Sequence, residues 1–224
     1  MDFEIRYQPA YALAIVRLSA GETISAETGA MVSMSDSIQL QTAAKGGLLS
    51  GLRRSVLGGE SFFINTFKAE APGEVTLAPA LPGDVVHYRM SGGTLLVQSG
   101  SYLASTGDIQ VDTKWGGAKT FFSGEGLFLL RVTGTGDLFL SSYGAIHPVD
   151  LAAGQRYVVD TGHVVAFEEG VAYQVRRAGS WKSTFFGGEG LVVELTGPGR
   201  AHIQTRSPAS FLSWLVPKLP GKRE

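Results

Sequence analysis

Gly124-Glu125-Gly126-Leu127-Phe128 and Gly188-Glu189-Gly190-Leu191-Val192 stand 64 residues apart, and Gly59-Glu60-Ser61-Phe62-Phe63 lies 65 residues before the first of them. Thr120-Phe121-Phe122 and Thr184-Phe185-Phe186 precede the later two copies at the same offset. Working outward, a second marker recurs upstream of each. Leu18-Ser19-Ala20-Gly21 leads to Thr28-Gly29-Ala30-Met31-Val32, Met90-Ser91-Gly92-Gly93 to Ser99-Gly100-Ser101-Tyr102-Leu103, and Leu151-Ala152-Ala153-Gly154 to Thr161-Gly162-His163-Val164-Val165. Two markers recurring three times in one order divide the chain into three units, 3–82, 83–146 and 147–208, followed by a tail over 209–224.

Within a unit the hydrophobic period is two. Ser37-Ile38-Gln39-Leu40-Gln41-Thr42 and Ile109-Gln110-Val111-Asp112 alternate apolar with polar, as half-buried strands do. Leu127-Phe128-Leu129-Leu130 and Leu191-Val192-Val193 read as strands buried on both faces. Thirty glycines among 224 residues, about twice the usual share, supply turns and bulges where a Cβ would obstruct. The 44% hydrophobic content provides a core, and the absence of cysteine excludes disulfides, thiol catalysis and Cys-zinc sites. The expectation is an all-β fold. Three pseudo-repeats of short antiparallel strands, five or six in each, form one sandwich-like or double-stranded β-helix-like domain, sharing a core or arranged about a pseudo-threefold axis, with two short helices.

The first helix is expected in an insertion of the first unit. Leu48, Leu49, Leu52 and Val56 fit an amphipathic helix with Arg53 and Arg54 on its other side. The second is expected over 208–216, bracketed by Pro208 and Pro217 and carrying Phe211, Leu212, Trp214 and Leu215. Lys218, Lys222 and Arg223 give the tail a basic end.

Three segments carry a family resemblance: Gly46 through Phe67, with its Gly-Glu-Ser-Phe-Phe core; the two later Gly-Glu-Gly-Leu copies; and Ile203-Gln204-Thr205-Arg206-Ser207 before the apolar tail. Over nearly its whole length the chain resembles the family named for altered inheritance of mitochondria, the mitochondrial biogenesis family, in its bacterial branch of unknown function. The resemblance implies an all-β fold grouped with the trp RNA-binding attenuation protein. It also implies, in the mitochondrial members, a non-enzymatic role supporting inner-membrane organisation. It implies no catalytic residue set.

The residues themselves offer little chemistry. His87, His147, His163 and His202 have no ligand spacing, no Gly-x-Ser-x-Gly elbow occurs, and the loop Gly46–Gly51 lacks the Lys-Ser/Thr of a phosphate-binding loop. No catalytic, cofactor-binding or metal-ligating residue is assigned. Gly59, Glu60, Gly124, Glu125, Gly188 and Glu189 are repeated turn positions. Their carboxylates accept backbone N–H groups at equivalent turns, or ring a cation or a partner's arginine. A net charge of -1, with basic residues clustered only at Arg53-Arg54 and at Arg176-Arg177 near Trp181-Lys182, disfavours nucleic acid as a partner.

The start of the chain is acidic and no apolar run reaches the ~18 residues a spanning helix needs, which points to the cytoplasm. The expected role is a non-catalytic structural or interaction protein. The alternatives are a small-ligand, carbohydrate or nucleic-acid binding module and an unrecognised enzyme. A homo-oligomer, with a trimer as one option, a protein partner and peripheral membrane contact are the expected associations. The Leu48–Leu57 and Phe211–Val216 segments are the candidate docking elements.

Overall fold

The computed structural model describes residues 1–41, 55–57, 60–62, 64–113, 128–177 and 191–220, with backbone alone for 55–57 and 60–62. The first unit contributes β1 (Asp2–Arg6), β2 (Leu13–Leu18), β3 (Thr23–Glu27), β4 (Met31–Met34), β5 (Ile38–Gln41), β6 (Ser55–Leu57), β7 (Glu60–Phe62), β8 (Ile64–Ala69) and β9 (Gly73–Leu77). The second contributes β10 (Val85–Gln98), β11 (Tyr102–Ser105), β12 (Gln110–Asp112) and β13 (Leu129–Ser141). The third contributes β14 (Ile146–Leu151), β15 (Arg156–Asp160), β16 (Val164–Glu168), β17 (Ala172–Arg177), β18 (Leu191–Thr196) and β19 (Gly199–Gln204), followed by one helix, α1 (Pro208–Leu215). All pairings between these strands are antiparallel, as the period-two alternation requires.

One pairing scheme occurs three times. In the first unit β9 lies between β2 and β4, and β8 between β3 and β5. In the third, β19 lies between β14 and β16, and β18 between β15 and β17. In the second, β10 and β13 each run through both positions. Val85–Ser91 pairs with Thr135–Ser141, which β11 also joins, and Thr94–Gln98 pairs with Leu129–Thr133, which β12 also joins. A bulge falls at the same step of the equivalent strands β4, β11 and β16, between Met31 and Ser33, Tyr102 and Ala104, and Val164 and Ala166. The two strand triples of each unit share an apolar cluster, so the fold is sandwich-like.

Gly134 shows why this repetition needs glycine. It sits at φ +113° where β13 passes from one pairing position to the other, and a Cβ there would lie 2.2 Å from the Asp108 carbonyl oxygen.

The units are joined edge to edge. Ala26 and Ser25 of β3 pair with Ala104 and Ser105 of β11. Val97, Leu96 and Leu95 of β10 pair with Ala166, Phe167 and Glu168 of β16. In terms of position in the unit these are the same junction in the same register. Among the described residues no corresponding junction links β15 of the third unit to β4 of the first, so the units form a row with two open ends.

The expected first helix needs correction. Val56, its last apolar position, lies in β6, which pairs with β7 as Val56 opposite Ser61. With a β-branched residue flanked by serine and leucine, Ser55–Leu57 meets a strand partner close in sequence, and backbone pairing takes precedence over helical spacing. Leu48, Leu49, Leu52, Arg53 and Arg54 lie outside the described residues, as do Gly59, Gly124, Glu125, Gly188 and Glu189. Glu60 is the first residue of β7.

Candidate functional site

The two open ends differ from every equivalent strand in the chain. β11 and β16 are buried along their length apart from Glu168 at the end of β16, whereas all four residues of β4 are exposed. Val32, the residue at the bulge, is 59% exposed, while its equivalents Leu103 and Val165 are at 0%. Met34 is 40% exposed and its equivalent Phe167 is at 0%. On β15, Tyr157 and Val158 are exposed, while the matching residues of β10, Leu95 and Leu96, are buried. Sequence identity does not account for this contrast. At the bulge all three units keep an apolar residue, Val32, Leu103 and Val165, and what differs there is whether a neighbouring strand covers it. The places of Met34 and Val158 hold Phe167 and Leu96 at the second internal junction and Ser105 and Ser25 at the first.

The bulge residue has a defined task where it is covered. Leu103 of the second unit belongs to the first unit's core cluster, beside Ile24, Phe67 and Leu77. Val165 of the third unit belongs to the second unit's cluster, beside Leu95, Leu130 and Leu140. The first and second cores are thus each completed by the following unit. The third cluster, built on Leu151, Phe167, Val193 and Leu195, contains no such contribution among the described residues.

The helix α1 forms where its prolines bracket it. Pro208 occupies the first turn and the Ser207 hydroxyl accepts a hydrogen bond from the Ser210 amide at 3.4 Å. Phe211 and Leu215 turn partly inward, with the Phe211 ring 5.9 Å from Tyr143. Leu212 and Trp214 face outward at more than half exposure, and Lys218 Nζ stands 4.9 Å from the Trp214 ring centre. The tail therefore rests by one face on the connection between β13 and β14 and leaves the other apolar face open.

Titratable groups gather at two places. On β10 and β13, Asp137 accepts hydrogen bonds from His87 Nε2 and Arg89 Nη1, both at 2.8 Å. Burial would push the Asp137 carboxyl up, but these two donors outweigh it and hold it below the usual range. Around β19, Arg200 pairs with Asp150 at 2.6 Å, and Tyr88 donates to Glu168 at 3.3 Å. His202 lies beneath them; burial and then the Arg200 charge push its imidazole down from its ordinary value. Its Nδ1 is buried without a hydrogen-bond partner. Among the described residues no three histidine or carboxylate side chains converge as metal ligands. A cleft of about 510 Å³ lies at the first unit's end beside Ser35, and its charged groups are engaged with one another, Arg17 with Asp2 at 3.3 Å and Glu74 at 3.6 Å. Arg176 is likewise paired, with Glu194 at 3.2 Å.

Sequence reasoning located the α1 surface but passed over β4 and β15. Their signal was present in the alignment of markers, where Met31-Val32 and Tyr157-Val158 take the places of residues that serve elsewhere as core.

The family model described as Mitochondrial biogenesis AIM24 matches residues 3–206. An uncharacterized protein of Streptococcus pyogenes serotype M6 is 28% identical over 228 residues, covering 98% of this chain and 92% of the relative. A Streptococcus pyogenes protein solved by X-ray crystallography superposes with a TM-score of 0.80 at 25% identity, covering 97% of this chain and 99% of the other.

Proposed function

The chain belongs to the mitochondrial biogenesis AIM24 family, and from that premise we propose that it is a non-enzymatic structural protein that works by self-association. The observation that carries this reading is the exposure of β4 and β15, whose equivalents inside the chain are core strands. A monomer that leaves Met31, Val32, Met34, Tyr157 and Val158 in water keeps an apolar surface of the kind that marks interfaces. The outward face of α1 adds a second surface for a protein partner. No helix among the described residues is long and apolar enough to cross a membrane.

Light scattering on the intact chain tests the reading. The expected mass is a multiple of one chain, with the number of copies unchanged on truncation after Ser207, because the sheet ends rather than α1 hold the copies together. A single-chain mass at the highest soluble concentration would sink it.

A further inference from the structure

We infer that β15 of one copy adds as an antiparallel strand to β4 of a second copy, reproducing between chains the junction that β3–β11 and β10–β16 make within the chain. This rests on the self-association reading above and specifies its surface, register and direction.

The register follows from the two internal junctions. Ala26 pairs with Ala104 in one and Val97 with Ala166 in the other; Ser25 pairs with Ser105 and Leu96 with Phe167. Ala26 and Val97 correspond to Val159, and Ala104 and Ala166 to Ser33, because each takes the same place opposite its own unit's strands. Val159 therefore faces Ser33, Val158 faces Met34, and Tyr157 faces Ser35 of the neighbouring copy. The pair Val158–Met34 is the counterpart of Leu96–Phe167, which is buried inside the chain.

Two further features fit this occupant. The register continues to Arg156, an exposed cation that also stands 3.5 Å from Glu194 of its own chain, opposite the exposed carboxylate of Asp36. The second internal junction continues in the same way, with the Glu169 amide donating to the Thr94 carbonyl at 3.4 Å. The bulge residue Val32 would also enter the third unit's core, where Leu103 and Val165 enter the first and second. The contact uses different surfaces on its two partners. Each copy thus offers β15 to one neighbour and β4 to the other, and assembly stops only when the row closes into a ring.

Because the chain has no cysteine, introduced thiols report cleanly. Directly opposed residues of an antiparallel pair have Cα atoms about 4.5–5.5 Å apart, within disulfide reach. Mild oxidation of the double variant Met34→Cys, Val158→Cys is expected to give a covalent ladder of chains. A mixture of the two single variants is expected to give only the mixed dimer, and either single variant alone no dimer. Val158→Lys, at an exposed site that leaves the single chain folded, is expected to raise the dissociation constant by about tenfold to a hundredfold.

Self-linked dimers from a single variant, or an oligomer that neither cross-links nor responds to Val158→Lys, would overturn this pairing and leave self-association standing. A monomer without cross-links would overturn both.

Discussion

β16 and β4 occupy the same place in their units, carry the same bulge and pair with the same neighbour, yet one is buried and the other lies in water. The difference is a single strand. β16 has β10 of the preceding unit against its second edge, and β4 has no strand there among the described residues. An apolar residue in a repeat is committed to a position in the scheme before it is committed to burial, and the end units expose what the middle ones hide. Many repeat proteins blunt their ends with polar residues; here Met31, Val32 and Met34 remain.

The largest effect comes from breaking the covered side. Phe167→Ala should cost about 3–5 kcal/mol in urea unfolding, through lost burial and the cavity left behind. The same truncation at the open end, Met34→Ala, should cost within about 0.5 kcal/mol when read in Val158→Lys chains kept apart. Equal costs would mean that β4 is already covered within one chain.

Acid sharpens the comparison from the covered side, because His202 pairs with Ala166 of β16 while the equivalent Thr76 on β9 instead shares a 2.7 Å hydrogen bond with the Ser33 hydroxyl. The folded pKa of His202 is depressed by burial, so below about pH 6.5 the unfolded chain binds a proton that the folded chain does not. Stability is therefore full above that pH and falls as the pH drops toward the folded value, by at most about 1.4 kcal/mol per pH unit. His202→Phe should flatten this slope in chemical denaturation between pH 7 and 5. Asp137, depressed by His87 and Arg89 against its own burial, adds a further loss only below about pH 4.

The smallest effect lies at the rim. Reversing Arg156 to Glu should weaken association by about 0.2–1 kcal/mol, and reversing Asp36 to Lys in the same chain should restore it. The restoration should fade in high salt as the charges are screened. Sedimentation of the single and double reversals at two ionic strengths reads this directly. Failure of the second reversal to rescue the first would place Asp36 away from Arg156 and shift the register.

Much of the fold was legible in the sequence for a local reason. Alternation in Ser37–Thr42 and Ile109–Asp112 is set by the two-residue period of a strand, and the tail helix by Pro208, the Ser207 hydroxyl and Pro217. Val56 was misread because helical spacing does not by itself exclude a strand, and the pairing with Ser61 that decides the matter is not written in the spacing. The candidate site was the least legible part. Val32 and Val165 sit at matching places in their markers, and nothing in either stretch says which will be covered.

By itself the sequence determined the strand periodicity, the threefold recurrence of the Gly21, Gly93 and Gly154 marker and the family, because each depends on residues near one another in the chain or on their order. Tertiary structure alone decided that β10 and β13 run through two positions each, that the first and second cores are each completed by the next unit, and that β4 and β15 are left open. Those outcomes depend on which strand edges meet, a long-range pairing whose free energy is set by the partner strand as much as by the strand itself.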